Sequence, residues 1–282
     1  MPELPEVETI ARGLHKRVTG DIIESVWLGE KPEPLKSPAR EIVQVLEHAR
    51  IVQVRRAGKH IVFDLERPLS RSRRRPLRHG QWIVHLGMTG SMQVATAETE
   101  VAKHTHAIVK LASGQEVRFV DPRRFGRLAV VHTDLPTSAG FTAPGDEPLE
   151  SRSSRFVDLF RGRKTPIKSA LLNQKLLSGV GNIYADESLF RSGIRPRRRA
   201  ASLTREQLRR LHVAVQEVLR EAIALGGSSV SDYVDADGKE GFFQLQHRVY
   251  GREGEPCLVC GSPIKRVVIA GRSSHYCARC QK

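Results

Sequence analysis

The sequence predicts an α+β protein with a strand-rich N-terminal domain, a helical domain and a small C-terminal unit that contains every cysteine. Three observations lead to this fold class. Short β-branched segments fill residues 1–133, a strong helical repeat lies in the second half, and four cysteines fall within the last 26 residues. A chain of 282 residues is long enough for two domains with cores of their own.

The chain begins MPELPEVET, and its first predicted element is an amphipathic helix. Apolar residues recur at helical spacing after Pro5, which suits the first position of a helix. Acidic residues in the first turn complement the positive end of the helix dipole. Pro2 and Glu3 precede this helix, and helix formation alone gives them no role.

The rest of the N-terminal domain is predicted to consist of strands and a second helix. Seven segments are short and rich in β-branched residues, namely DIIESVWLG, RIVQVRR, HIVFDL, QWIVHLG, SMQVAT, HAIVKLA and EVRFV. Strands at this spacing are typical of a β-sandwich or a barrel. The helix is predicted at SPAREIVQVLEHA, with Ser37 as its N-cap and Pro38 in its first position.

Residues 134–150 are rich in proline, glycine and small polar residues, which predicts a linker. The helical domain is expected over residues 151–246. Its longest helix is predicted to begin at a capping box of Thr204 and Gln207 and to end at Gly226. The buried face of that helix is expected to contain Leu208, Leu211, Val215, Val218 and Ala222.

The C-terminal unit, residues 247–282, contains two C-x2-C pairs with sixteen residues between them. The four cysteines are Cys257, Cys260, Cys277 and Cys280. Two such pairs can bring four thiolates around one tetrahedral Zn2+ ion, whereas the alternatives are two disulfides or free thiols. A β-branched run between the pairs predicts a hairpin, which zinc would hold rigid because so small a unit cannot bury a core unaided.

Lysine and arginine total 46 against 31 acidic residues, which gives a net charge of +15 and a pI near 10.2. Such an excess favours a nucleic-acid partner, and the alternative is a basic protein with no polyanionic partner. The sequence has no apolar run of membrane-spanning length, and its N-terminus is acidic where a signal peptide is basic. A cytoplasmic protein without a membrane partner is expected.

Residues 67–80 form an arginine-rich segment between two predicted strands, with six arginines in fourteen positions. One hypothesis is a solvated loop, disordered without a ligand, that adds non-specific affinity for nucleic acid. The other is a dedicated electrostatic arm for phosphates. The composition favours the first.

Three turns carry residues suited to nucleic-acid chemistry. GVGN at 179–182 lies between two helical stretches, where backbone amides can bind a phosphate. In VDPRRFG, Arg123 and Phe125 suit stacking on bases or wedging into a duplex, although Phe125 could equally be core and Arg123 paired with an acid. In HLGMTG, Met88 lies on a glycine-flanked turn, where a methionine is more often core.

Six segments occur together and in order: MPELPEVET, HLGMTG, DPRRFG, GVGNIYADE, VYGREGEPC and the closing four-cysteine unit. In all of them the chain resembles the formamidopyrimidine-DNA glycosylase (Fpg) family, and the resemblance spans nearly the whole chain. Leu4 within PELPE resembles Fpg rather than its relative endonuclease VIII, which usually has glycine there. The resemblance implies an N-terminal β-sandwich with flanking helices and a helix-two-turn-helix domain that ends in a zinc β-hairpin. It also implies that residues 226–244 contain a mobile lesion-recognition loop.

The family resemblance further implies a bifunctional glycosylase and abasic-site lyase for oxidised purines in duplex DNA, a monomer with one structural zinc ion, associated with the nucleoid. Removal of Met1 would free Pro2 to attack C1′ of the damaged nucleotide, with Glu3 as general acid and Glu6 supporting the amine. Lys59 would serve in base release and β-elimination, or else be an ordinary surface lysine. Arg272 would bind phosphate and assist a second elimination.

The same resemblance implies two groups of DNA contacts. Residues that fill the gap left by a flipped base are matched by Met88, Arg123 and Phe125. Residues that grip the backbone beside the lesion are matched by His104, Arg163, Lys168 and Asn182. Two alternatives stay open at this point: an endonuclease VIII-like glycosylase for oxidised pyrimidines, and a non-catalytic zinc-dependent DNA-binding protein.

Overall fold

A computed structural model describes residues 1–68, 77–133, 140–229, 234–236 and 238–282. They form two compact units. The first consists of Met1–Ala143 with Ser228–Gly241, and the second of Pro144–Gly227 with Phe242–Lys282. Among the helices of these described ranges, none is long and apolar enough to cross a membrane.

The first unit contains eight strands in its described part, paired antiparallel in two four-stranded sheets. The strands are β1 (Ile23–Leu28), β2 (Arg50–Ala57), β3 (His60–Pro68), β4 (Leu77–His85), β5 (Ser91–Thr96), β6 (Thr105–Leu111), β7 (Gln115–Val120) and β8 (Arg127–Thr133). One sheet has the order β1-β6-β7-β5 and the other β2-β3-β4-β8.

The two sheets share one hydrophobic core, which confirms the β-sandwich. Phe63 of β3 and Trp82 of β4 face this core, with their ring centroids 4.7 Å apart. Val62 and Ile83 point to the opposite face of the same sheet, because side chains alternate along a strand, and pack there against Phe141. Among the described residues, no strand of one sheet pairs with a strand of the other, so the first unit is a sandwich rather than a barrel.

All seven predicted strands are present, and β8 was not predicted. β3 and β4 are longer than the sequence suggested, because they extend into the arginine-rich segment, where Arg67 pairs with Arg78 across the ladder. That part of the segment is therefore strand rather than loop. Residues 69–76 lie outside the described residues, so the hypothesis of a disordered loop stays a prediction.

Two helices flank the sandwich, α1 (Leu4–Val18) and α2 (Ala39–Leu46). Both were predicted, and the caps are the details that differ. Glu3 is the N-cap of α1, and Pro38, rather than Ser37, is the N-cap of α2. The Ser37 hydroxyl instead accepts a hydrogen bond from the backbone N–H of Val130 in β8, at 3.1 Å.

The second unit contains four α-helices and a two-stranded hairpin, which agrees with the predicted helical domain and C-terminal hairpin. They are α3 (Ser153–Phe160), α4 (Ile167–Leu171), α5 (Asn182–Arg191), α6 (Arg205–Ala224), β9 (Ile264–Ile269) and β10 (Arg272–Cys277). Thr204 and Gln207 form the predicted capping box of α6. The predicted apolar face of this helix is buried throughout.

The described ends of the predicted linker are ordered parts of the two units. Phe141 belongs to the first unit, where its N–H donates to Gln81 Oε1 at 2.6 Å. Asp146 belongs to the second, where it forms a parallel bridge with Leu177 and an ion pair with Arg155. The division between the two units falls at Ala143 and Pro144, inside the predicted linker. Residues 134–139 lie outside the described residues, so a linker over 134–150 stays a prediction.

The middle of the predicted lesion-recognition loop, residues 228–241, belongs to the first unit, whereas the two ends of the loop belong to the second. The N–H of Ser228 donates to Glu6 Oε1 at 2.8 Å, and the N–H of Val94 in β5 donates to the carbonyl of Ala236 at 3.4 Å. The sequence placed residues 228–241 in the helical domain, whereas in the structure they cluster with the first unit. The boundary expected at residue 246 stays a prediction.

Candidate active site

The N-terminal segment is held in place by the start of α1. Glu3 and Glu6 form a capping box, in which the N–H of Glu3 donates to Glu6 Oε2 at 2.8 Å. Pro2, Glu3 and Glu6 are all buried. Glu3, which lay outside the predicted helix, therefore has a structural role as its cap.

Lys59 lies on the tight turn between β2 and β3. Ala57 pairs with His60, which leaves a two-residue loop of Gly58 and Lys59, and Gly58 supplies the positive φ of 59° that such a loop requires. Lys59 is only 8% exposed. Its burial excludes the alternative of an ordinary surface lysine, since a solvated turn lysine keeps most of its side chain in water.

A buried ion pair ties the N-terminal helix to the Lys59 turn. Arg56 Nε lies 2.7 Å from Glu8 Oε2 on α1, and Arg56 Nη1 donates to the carbonyl of Gly58 at 3.2 Å. One guanidinium thus connects the helix that follows Pro2 and Glu3 with the loop that contains Lys59. The three predicted catalytic residues of this unit lie on elements that are bonded together.

Two histidines next to the Lys59 turn lie in surroundings that disfavour their charged forms. The rings of His60 and His85 are 4.9 Å apart. Burial, and then repulsion from His60, Arg127 and Lys59, lower the pKa of His85 to about 4. His85 Nδ1 accepts a hydrogen bond from the N–H of Gly87 at 3.1 Å, so the neutral ring keeps its proton on Nε2.

The three residues predicted to fill the gap of a flipped base are exposed on two adjacent turns. Met88 is 42% exposed and Phe125 is 52% exposed, which excludes the alternative that they are core. The Arg123 guanidinium lies 4.8 Å from the centroid of the Phe125 ring. His104 is also exposed, with a φ of 70°. Its carbonyl accepts the N–H of Asp121 at the start of the Phe125 turn.

The other predicted contacts lie in the second unit, where Arg163 and Arg272 are exposed. Asn182 is the first residue of α5 and donates from Nδ2 to Ser273 Oγ at 3.4 Å. Lys168 differs from the expectation of an accessible phosphate ligand, because its side chain is 0% exposed. Its Nζ lies 2.6 Å from Asp186 Oδ1 and donates to the carbonyl of Ser273 at 2.7 Å.

The chain matches known protein families over most of its length. The chain matches the formamidopyrimidine-DNA glycosylase N-terminal domain over residues 1–128, the H2TH domain of the same enzymes over residues 145–234, and a zinc finger found in FPG and IleRS over residues 254–282. Formamidopyrimidine-DNA glycosylase of Desulforamulus reducens is 42% identical over 100% of this chain and 99% of the relative. That of Thermus thermophilus is 44% identical over 100% of this chain and 98% of the relative.

The chain belongs to the formamidopyrimidine-DNA glycosylase family. Solved structures of the family agree with the fold. A Lactococcus lactis Fpg in complex with DNA that contains an abasic site has a TM-score of 0.86 at 31% identity and covers 99% of both chains. The MutM (Fpg) protein of Thermus thermophilus has a TM-score of 0.83 at 40% identity, covering 99% of this chain and 98% of that one.

Membership of the Fpg family identifies the chain as a DNA glycosylase of base-excision repair, with the combined glycosylase and abasic-site lyase activity that characterises the family. DNA is its partner, as the net charge predicted. The alternative of a non-catalytic DNA-binding protein is therefore wrong.

Two adjacent acids of α5 hold the zinc-finger segment of this Fpg-family chain. Asp186 Oδ2 accepts the N–H of His275 in β10 at 2.8 Å. Glu187 accepts three successive backbone N–H groups, those of residues 248–250, at 2.8 to 3.0 Å. Burial raises the pKa of Glu187, and these hydrogen bonds oppose the rise. The sequence analysis missed both acids, because their partners lie 61 to 89 positions away.

The four cysteines fit the structural zinc ion of the Fpg zinc finger. Their Sγ atoms all lie within 4.8 Å of one another, with Cys260 and Cys277 at 3.4 Å and Cys257 and Cys280 at 3.9 Å. A tetrahedral zinc with bonds of ~2.3 Å requires sulfur separations of about 3.8 Å. No disulfide joins any of the four cysteines, so the disulfide alternative is wrong. Hydrogen bonds from Ser262 lower the pKa of Cys260 to about 6, whereas burial raises the pKa of Cys277 and that of Cys280.

Proposed function

We propose that this protein removes oxidised purines, chiefly 8-oxoguanine and formamidopyrimidines, from duplex DNA through a covalent bond to Pro2 and then cleaves the strand. The observation that supports this best is the link between the N-terminal helix and the buried Lys59 turn through Glu8 and Arg56. This link connects the helix that follows Pro2 and Glu3 with the turn that contains the buried Lys59.

The nucleophile is the nitrogen of Pro2 once Met1 is removed. An α-amine titrates near ~8 and a lysine near ~10.4, so at pH 7 the α-amine is unprotonated roughly two hundred times more often. The nitrogen bonds to C1′ as the bond from C1′ to the damaged base breaks, and Glu3 supplies a proton as the base leaves and the sugar ring opens.

The product of this step is an iminium ion, which has no N–H proton to lose because proline is a secondary amine. It therefore stays cationic and accepts the electron pair released when C2′ loses a proton and the 3′ phosphate departs. Lys59 takes part in base release and in this β-elimination. The 5′ phosphate leaves in a second elimination, which Arg272 assists by binding the phosphate.

Met88, Arg123 and Phe125 fill the gap in the duplex, and their exposure and stacking support that role. The backbone beside the lesion is held by His104, Arg163 and Asn182. Lys168 contributes from its buried position, because its bond to the Ser273 carbonyl supports the hairpin residue that also pairs with Asn182. The protein works as a monomer in the cytoplasm, associated with the nucleoid where its substrate is.

Reduction with borohydride in the presence of 8-oxoguanine–cytosine duplex tests the mechanism. A covalent protein–DNA adduct is expected, and peptide mapping should place it on Pro2. Lys59→Met is the matched variant, because it keeps the nucleophile and should still form an adduct with a preformed abasic site. An adduct on an internal lysine, or full lyase activity with Met1 retained, contradicts the proposal.

Oxidised pyrimidines are the second candidate substrate class. A Lactococcus lactis Fpg has been crystallised in complex with DNA that contains an oxidised pyrimidine, so at least that relative binds such DNA. Competing cleavage of 8-oxoguanine and thymine glycol duplexes by the purified protein decides the preference. Faster cleavage of thymine glycol would reverse the order proposed here.

A further inference from the structure

Asp121 is a fully buried carboxylate at the end of β7, immediately before the turn that contains Arg123 and Phe125. The proposed chemistry assigns it no role. Burying a carboxylate costs free energy unless hydrogen bonds compensate. The hydrogen-bond partners of Asp121 therefore indicate its role in the fold.

The Asp121 side chain joins the two turns that carry the gap-filling residues. Oδ1 accepts the hydroxyl of Thr89 at 2.6 Å and the N–H of Arg123 at 3.2 Å. Oδ2 accepts the N–H of Gly126 at 2.7 Å. Thr89 follows Met88 directly, and Arg123 and Gly126 bracket Phe125, so one carboxylate holds both turns.

The backbone of Asp121 extends the same connection to a third segment. Its N–H donates to the carbonyl of His104 at 3.0 Å. Its carbonyl oxygen lies 2.9 Å from His106 Nε2, which donates to it. His104 has a positive φ of 70°, an uncommon conformation for a non-glycine residue, and this hydrogen bond helps to hold it.

The two turns pack closely against each other. A Cβ at Gly87 would lie 2.5 Å from the carbonyl carbon of Phe125, and one at Gly126 would clash with the ring of Phe119. The backbones of the two turns are therefore in direct contact. A shift of the Met88 turn is transmitted to the Phe125 turn, and Asp121 fixes both.

We propose that Asp121 is a positioning residue that presets Met88, Arg123 and Phe125 in the geometry needed to open the base stack; this inference rests on the proposed function. Exposed side chains on short turns lose conformational freedom when they enter a duplex. A scaffold that has already ordered their backbone reduces that cost, as preorganisation does in binding sites generally.

Asp121→Asn tests the inference, because asparagine keeps the shape and replaces one acceptor oxygen by an NH2 group that faces an N–H or hydroxyl donor. Two duplexes separate positioning from chemistry: one with 8-oxoguanine paired to cytosine, and one with a preformed abasic site that has no base to unstack. Single-turnover base excision should fall by about tenfold, the factor that ~1.4 kcal/mol of lost transition-state stabilisation produces. Cleavage of the abasic duplex should stay within about twofold of wild type.

Asp64→Asn is the matched control. Asp64 is equally buried and accepts hydrogen bonds from Arg55 and Gln81 on the other sheet of the same unit. It should destabilise the fold without changing the ratio of the two rates. Fluorescence of a 2-aminopurine beside the lesion reports the unstacking itself, and its rise on binding should be reduced in Asp121→Asn and unchanged in Asp64→Asn.

Thr89→Val keeps the inference testable if Asp121→Asn does not fold. It removes one hydroxyl donor to Asp121 and preserves side-chain shape, so excision and 2-aminopurine fluorescence should fall in the same direction by a smaller factor. Thr96→Val is its control, because Thr96 is exposed on β5 and its hydroxyl bonds Thr99 and Glu98, which lie outside the two turns.

The outcomes separate this inference from the proposed function. If wild type does not excise the lesion, the proposed function fails. If wild type excises it and the Asp121 and Thr89 variants keep the wild-type ratio of rates and the wild-type fluorescence, the positioning role of Asp121 is overturned. An equal loss on both duplexes also overturns it, because a general structural defect would act in that way.

Discussion

Replacing Lys168 by methionine tests whether this residue acts on DNA directly or through the fold. Methionine keeps most of the length and loses the charge, so Asp186 remains as a buried carboxylate without the ammonium that lies 2.6 Å from it. Breaking one side of a buried ion pair costs ~3–5 kcal/mol. The free energy of unfolding should fall by about that amount, measured by guanidinium denaturation followed by circular dichroism.

A double variant checks the assigned cause. Lys168→Met with Asp186→Asn removes both charges, and the asparagine oxygen can still accept the N–H of His275. The double variant should lose less stability than the sum of the two single variants, with an interaction energy of roughly 0.5–3 kcal/mol. Simple additivity would mean that the pair contributes nothing as a pair.

Salt dependence of DNA binding gives the second measurement. Each phosphate contact contributes about 0.9 to the slope of log K against log salt concentration. The slope should be unchanged in Lys168→Met, whereas Arg163→Gln, at an exposed position, should lower it by about 0.9. Arg163→Gln should reduce stability by only about 0.5–1.5 kcal/mol, because it loses the hydrogen bond from Arg163 Nε to the carbonyl of Leu159. The reasoning is refuted if Lys168→Met lowers the slope by a full contact and unfolds like wild type.

Four further predictions follow from the geometry. Cys257→Ser should lose zinc and weaken DNA binding, because three thiolates and a hydroxyl do not complete the site; normal zinc content by atomic absorption would count against it. Arg123→Ala should weaken lesion binding and excision. It should lower the free energy of unfolding by only about 0.5–1 kcal/mol, the value of an exposed cation–π contact. Unchanged affinity for lesion-containing DNA would remove Arg123 from the site. The carboxylate of Glu6 accepts the N–H groups of Glu3 and Ser228, and Glu6→Gln replaces one of these two acceptor oxygens by an NH2 group. The free energy of unfolding should therefore fall by roughly 1.5–3 kcal/mol. Wild-type stability would contradict this role of Glu6. His85 should titrate near pH 4 by NMR, since burial lowers its pKa. The unfolded chain takes up that proton near pH ~6.5, so the free energy of unfolding should fall as pH is lowered between the two values. A ring titration near 6.5 would contradict this.

Local patterns explain why most elements could be predicted from the sequence. The capping box at Thr204 and the apolar repeat of α6 depend only on neighbours within a few positions, and both are present in the structure. The N-cap of α2 was misplaced by one residue, because Ser37 bonds Val130, a partner 93 positions away that no local rule includes. The chemical motifs were similarly easy to find, since glycine, proline and cysteine spacings are local.

The parts of the site that could not be predicted depend on contacts distant in sequence. Lys168 looks accessible in the sequence, and its burial follows from Asp186 and from a hairpin carbonyl 105 positions away. Asp121 reads as an ordinary residue before a proline, yet its partners lie on three segments. Glu6 was expected only to support the terminal amine, and it also accepts the N–H of Ser228, 222 positions away.

The turn that contains Lys59 lies at one end of β3, and the arginine-rich segment begins at the other. β3 is paired at its first residue across a two-residue loop, and a one-residue shift of this register would turn Phe63 from the interior to the opposite side of the sheet. The same strand stays paired with β4 as far as Pro68 and Leu77, and the arginine pair Arg67–Arg78 lies near that end. The strand pair therefore carries added charge at the end opposite Lys59, with the full ladder from His60 to Glu66 between the two.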